Sequence, residues 1–142
     1  MLLTSQTPII IKLTNRETLS GLFLKLDENS LYIRDQGQIR AIPFLDIQYG
    51  YLVQEQELVQ RALRHMKNLE GVDFKPGSLK VPDGFLQDAI IKGYPIGLTT
   101  LDGTVISGKL LQFDPLCLFL ELRKGGKIWV FRCALTSFYK IL

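Results

Sequence analysis

The sequence predicts a mainly β protein with helices, built as two bent five-stranded antiparallel barrels joined by a helix and a linker. Three observations predict it. First, the chain repeats itself without a gap. Pro8, Leu13, Leu19, Ser20, Gly21, Asp27, Leu31 and Ile33 recur as Pro95, Thr100, Ile106, Ser107, Gly108, Asp114, Leu118 and Leu120, at a constant spacing of 87 residues. The paired residues are identical or apolar for apolar, except Leu13/Thr100. Such self-similarity marks an internal duplication. Second, each copy breaks into short apolar runs separated by turns rich in Asp, Asn and Gly, the pattern of a small barrel. Third, a glycine stands inside the second run of each copy. It leaves nothing to pack and marks a bend, a bulge or a close backbone approach. The long strand is expected to curl there.

At 142 residues the chain is one ordinary domain or two small ones, and the repeat selects two. The expected division is a first module over 1–51, a helix and linker over 52–83, and a second module over 84–142. A module of about 50–60 residues buries only about 60% of its unfolded surface. The copies therefore need each other, or other chains. A hydrophobic content of 46% against 22% charged excludes a disordered chain.

Pro8 opens the first module, and Ile9–Leu13 is a short β-branched strand. Thr14–Glu17 is a polar turn. Thr18–Leu26 is the strand around Gly21, and Asp27-Glu28-Asn29 turns the chain into Ser30–Arg34. Asp35-Gln36-Gly37 leads into Gln38–Ile42, which Pro43 stops because it cannot donate to a ladder. Phe44–Tyr51 is the last strand.

The period then changes. Leu58, Ala62, Met66 and Leu69, with Val59 and Leu63, recur at three- and four-residue spacing, which predicts an amphipathic helix near 54–69. Glu55 and Glu57 precede Arg61, Arg64, His65 and Lys67, the order a helix dipole favours. Val72–Pro82 reads as a linker. Asp83 is expected to cap a short helix, Gly84–Lys92, covering one end of the second barrel. The second module follows as strands Ile96–Leu101, Thr104–Phe113, Leu116–Leu122, Lys127–Arg132 and Thr136–Ile141.

Chemistry-bearing residues are sparse. His65 is the single histidine, and no nucleophile–base spacing, metal-ligand cluster or phosphate-cradling loop accompanies it. The chain reads as a non-enzyme without metal or cofactor. Cys117 and Cys133 read as buried free thiols. No apolar run approaches the roughly 18–20 residues that span a bilayer. The opening MLLTSQTPII lacks the charged start and longer apolar core of a secretory signal, so a cytoplasmic location is expected.

A net charge of +3 does not by itself announce nucleic acid. Its distribution says more. Residues 1–49 and 50–83 each carry five basic and five acidic side chains, whereas 84–142 carry seven basic and four acidic. Three of those cations, Arg123, Lys124 and Lys127, fall on one hairpin tip, where phosphate contact is expected.

A short helix, a strand with an internal glycine, an aspartate at its end and a short final strand together resemble the Sm/Lsm fold. Within it, the second module resembles the bacterial Hfq group. Leu86-Gln87-Asp88 is similar to the Hfq helix signature, Asp102-Gly103 to its first hairpin, and Ser107-Gly108 to its second strand. Gln112-Phe113-Asp114-Pro115-Leu116-Cys117 is most similar to divergent cyanobacterial Hfq proteins. Val130–Thr136 stands at the family's closing motif. The likeness covers about residues 85–139, and residues 8–49 more weakly, with Ile42–Ile47 as the closing strand.

The resemblance implies two Sm-like (SH3-like) barrels that bind single-stranded, A- or U-rich RNA on the faces of a ring. Three two-module chains would make a pseudo-hexamer. It also implies roles for particular residues. Arg132 replaces the lysine of the uridine-binding face, and Cys133 its histidine. Gly103, Thr104 and Ile106 keep the character of the adenine-binding face. Gln87 belongs to the helix signature, and Lys92 is what remains of a basic rim. The family's stacking aromatics are replaced, by Thr99 and Lys12 on one face and by Pro115-Leu116 on the other. A charged surface without stacking platforms binds weakly and with little base preference. The alternative is a protein-interaction or structural module that has lost most RNA binding. In some divergent relatives the partner is indeed a protein, at the type IV pilus machinery.

Overall fold

The computed structural model describes residues 1, 3–65 and 75–142 of the chain. The first repeat supplies β1 (Pro8–Leu13), β2 (Thr18–Leu26), β3 (Ser30–Asp35), β4 (Gln38–Pro43) and β5 (Ile47–Leu52). Then come α1 (Gln56–Ala62), β6 (Arg64–His65) and α2 (Asp83–Lys92). The second repeat supplies β7 (Ile96–Thr100), β8 (Thr104–Phe113), β9 (Cys117–Leu122), β10 (Lys127–Phe131) and β11 (Leu135–Lys140). The protein is mainly β with helices, as the alternation of short apolar runs and turns predicts.

The strands form one antiparallel sheet in the order β11-β7-β8-β9-β10-β5-β1-β2-β3-β4, with β6 beside β8. Each repeat therefore has the same internal order, its last strand beside its first. The two sets meet at β10 and β5, where Trp129 lies opposite Gly50 and Val130 opposite Tyr49. Among the described residues, β4 pairs only with β3 and β11 only with β7.

The repeat extends to its irregularities. In the first copy the register of β2 against β3 slips between Phe23 and Lys25, and in the second that of β8 against β9 slips between Leu110 and Gln112. The extra residues, Leu24 and Leu111, are equivalent in the repeat. The strand irregularity thus sits three residues beyond the glycine, not on it. Gly21 and Gly108 serve a close backbone approach instead. A Cβ on Gly21 would stand 2.7 Å from the Arg34 carbonyl oxygen, and one on Gly108 would meet that of Glu121.

Among the described residues, two apolar clusters form the interior. One gathers Leu98, Ile106, Leu110, Leu118, Leu120, Ile128 and Val130 of the second repeat with Leu86 and Ala89 of α2. The other gathers Ile9, Ile11, Leu31, Ile33, Ile42 and Ile47 of the first. They share strands at the junction, because successive side chains of a strand point to opposite faces. Ile10, Tyr49 and Tyr51 of the first repeat join the second repeat's cluster, whereas Trp129 and Phe131 of the second join the first's.

Three local expectations are corrected. The helix expected near 54–69 ends at Ala62, and Arg64–His65 pair instead with Val105 and Thr104. Met66 and Leu69, which would have extended its apolar face, lie outside the described residues. Asp83 is the first residue of α2, not its cap; the cap position is Pro82, and no side chain caps the helix. Phe44–Asp46 form a turn of 3-10 helix before the last strand of the first repeat rather than joining it.

Candidate nucleic-acid interface

The basic hairpin follows directly from β9 and β10. Arg123, Lys124 and Lys127 are exposed at its tip, and none enters an ion pair among the described residues. Gly125 has a φ of +98°, a left-handed conformation that glycine adopts without cost. Gly126 lies against α1, where a Cβ would be 3.0 Å from the Leu58 Cβ and 3.1 Å from the Val59 nitrogen. The helix thus props one side of the hairpin and leaves its three cations toward solvent. Arg61, on the same helix, is paired with Glu57 at 2.6 Å.

Arg132 is placed quite differently. Its guanidinium donates to the carbonyl oxygens of Asp114 (3.0 Å) and Val81 (2.8 Å) and to the Asp83 carboxylate (3.1 Å). It ties the end of β10 to the turn before β9 and to the segment leading into α2. The side chain is 19% exposed. It borders a cleft of about 380 Å³ together with Lys80, Pro115 and Cys133, but its donors are already engaged. Cys133 Sγ lies 3.2 Å from the Phe44 carbonyl oxygen. Burial pushes the thiols of Cys117 and Cys133 up, away from the reactive thiolate.

Gly103, Thr104 and Ile106 are all buried, and Ile106 belongs to the core with no exposed surface. These three do not form a surface that a base reaches from solvent through their side chains. Thr104 instead donates to Asp102, through its hydroxyl at 2.7 Å and its amide at 3.0 Å. Gln87 and Lys92 are exposed on α2, with Lys92 paired to Asp88 at 3.3 Å. Of the nine residues singled out in the sequence, the hairpin trio alone forms a grouped, uncompensated, accessible charge.

The sequence missed a polar network centred on Gln48. That residue is fully buried, at the point where β5 slips register against β1. Its amide donates to the Leu13 carbonyl at 2.9 Å and accepts the Asp102 backbone N–H at 3.0 Å. Asp102 in turn accepts from the Thr100 hydroxyl at 2.8 Å. Burial works to raise the Asp102 pKa, but the bonds from Thr104 and Thr100 outweigh it and hold the carboxyl below its usual range. One polar residue within the apolar run Ile47–Tyr51 was the available signal. Compared with family models, with curated proteins and with solved structures, the chain gives no match.

Proposed function

We propose that the chain is a cytoplasmic, tandem Sm/Hfq-like RNA-associated protein, two bent barrels in one chain. It assembles with copies of itself into a ring, three chains making a pseudo-hexamer, and holds single-stranded RNA weakly through phosphate contacts. The observation that carries this reading is the seam. The fourth strand of one repeat pairs with the last strand of the other, while the corresponding strands at the two ends, β4 and β11, have no such neighbour among the described residues. Unpaired edges invite further strands, and a head-to-tail contact that closes on rotation gives a ring.

Arg123, Lys124 and Lys127 supply the charge for RNA. Because backbone contacts release counterions without reading bases, A-rich and U-rich strands should bind alike. The test is anisotropy of labelled oligo(A) and oligo(U) across a salt series. Replacing the three cations together by alanine is expected to weaken both strands equally and to lower the salt slope by about 2, from roughly 0.7 per phosphate contact. No binding by the wild type at low salt would overturn the RNA reading. The protein-interaction reading would then replace it. That reading draws its support from the burial of Ile106 and the engaged donors of Arg132.

A further inference from the structure

Tyr51 and Tyr139 hold the same place in the two repeats, but only one of them is covered. Tyr51 pairs with Ile10 across β1–β5, as Tyr139 pairs with Gly97 across β7–β11. Gly97 follows Ile10 by the same 87 residues as the rest of the early repeat. Tyr51 is 4% exposed and joins Ile10 and Val59 of α1 in the apolar interior. Tyr139 is 44% exposed. Thus α1 helps to close this face in the first repeat, whereas in the second the face stays open at Tyr139.

The exchange of isoleucine for glycine decides how the open ring lies. A Cβ on Gly97 would collide with Cζ and Cε2 of Tyr139 and stand 2.6 Å from its hydroxyl oxygen. The ring therefore rests over the glycine backbone, with its exposed part toward solvent. Its neighbours on β11 turn to the opposite face. There Phe138 packs on Phe85 at 4.9 Å, and Lys140 Nζ lies 4.4 Å from the centre of the Tyr94 ring. On the face of Tyr139, Ser107 opposes Gly97, and Lys109 follows two residues later on the same side. Lys109 is exposed and enters no ion pair among the described residues. It opposes Glu121 on β9, which in turn opposes Lys127 on β10. Glu121 is half-buried and offsets one of these two lysines, and Arg123 and Lys124 add their charge at the hairpin tip. With strands about 4.8 Å apart and a rise of about 3.4 Å per residue, Lys109 lies about 12 Å along the sheet from Tyr139.

We propose that Tyr139 is a stacking platform for one base of a single strand whose phosphates run over Lys109 toward the basic hairpin. The inference rests on the RNA part of the reading above and names where a base sits. Tyr139 stands at none of the positions that the family likeness marks; the open face and the glycine beneath the ring single it out. An aromatic face held over the sheet stacks any base, because every base has a face of its own. The platform thus adds affinity without choosing between A-rich and U-rich strands, and the lysines supply the charge that holds the backbone beside it.

Anisotropy of labelled oligo(A) and oligo(U), with inorganic polyphosphate as a competitor that has no bases, tests this. Tyr139→Ala should weaken both strands by roughly five- to a hundredfold, the worth of one stacked base. Its salt slope and its affinity for polyphosphate should stay at the wild-type values, because no phosphate contact is lost. Tyr139→Phe, which keeps the ring, should bind as the wild type does. If Tyr139→Ala disturbs the far-UV spectrum, Tyr139→Leu keeps apolar bulk over Gly97 without an aromatic face and should show the same loss. A variant without the ring that holds RNA as the wild type does overturns the platform and leaves phosphate binding by the hairpin standing. A variant that loses RNA and polyphosphate alike also overturns it, since a missing base contact does not weaken a strand without bases. A wild type that binds polyphosphate but neither RNA at low salt overturns the platform and the RNA reading together.

Discussion

Asp102 shows how one residue binds the two repeats. It sits in the β7–β8 hairpin of the second, yet its backbone N–H is held by Gln48 of the first. A buried amide with both its donor and acceptor engaged in this way is costly to disturb. The sign of its pH dependence follows from the lowered pKa. The carboxylate contributes stability above its unfolded value of about 3.9, and that contribution is lost as pH falls through the folded value. Asp102→Asn should therefore be less stable than the wild type near neutrality, and the gap should close as pH drops below about 4. Urea unfolding at several pH values measures it. A gap that stays constant or widens in acid would show that the carboxylate's charge is not what the network uses. Nothing in the sequence marked this pair, because Gln48 and Asp102 are 54 residues apart and a lone polar residue in a strand gives no hint of its partner.

The strands were the most legible elements, because two-residue periodicity and turn residues are local signals. Those signals located the strands of both repeats closely. The α1 helix was not. Its apolar spacing continues past Ala62, but Leu63 is extended and Arg64 pairs with Val105; tertiary pairing overrode a weak local preference. The glycines were half legible: a close approach was among the readings, but the slip at Leu24 and Leu111 shows no residue signature. Least legible was the seam between β10 and β5, since nothing local states which edge a strand will meet. The seam has a built-in reporter. Trp129 is the single tryptophan, 6% exposed and stacked on Phe119 at 4.9 Å. Because junction strands feed side chains into both clusters, the repeats should unfold as one unit. Trp129 fluorescence and far-UV circular dichroism are expected to give coincident urea transitions. Separate transitions would mean that the seam opens before the repeats do.

For the molecule as a whole, the candidate site was legible only where it depends on exposure. Three cations at a glycine-rich hairpin had to face solvent. Arg132, Gly103, Thr104 and Ile106 were chosen by likeness to a family, and burial gives them structural work instead: a guanidinium tying loops, a carboxylate network and a core methyl surface. Among the described residues no helix is long and apolar enough to cross a membrane. What remains at this scale is a chain of two like halves, sealed to each other along one edge, with β4 and β11 each paired on one side only among the described residues. Native mass spectrometry of the wild-type protein tests the proposed ring assembly most directly. The expected result is one species at three times the 16.1 kDa chain mass, stable to dilution through the micromolar range. A species at the mass of a single chain, unchanged as concentration rises, would contradict it.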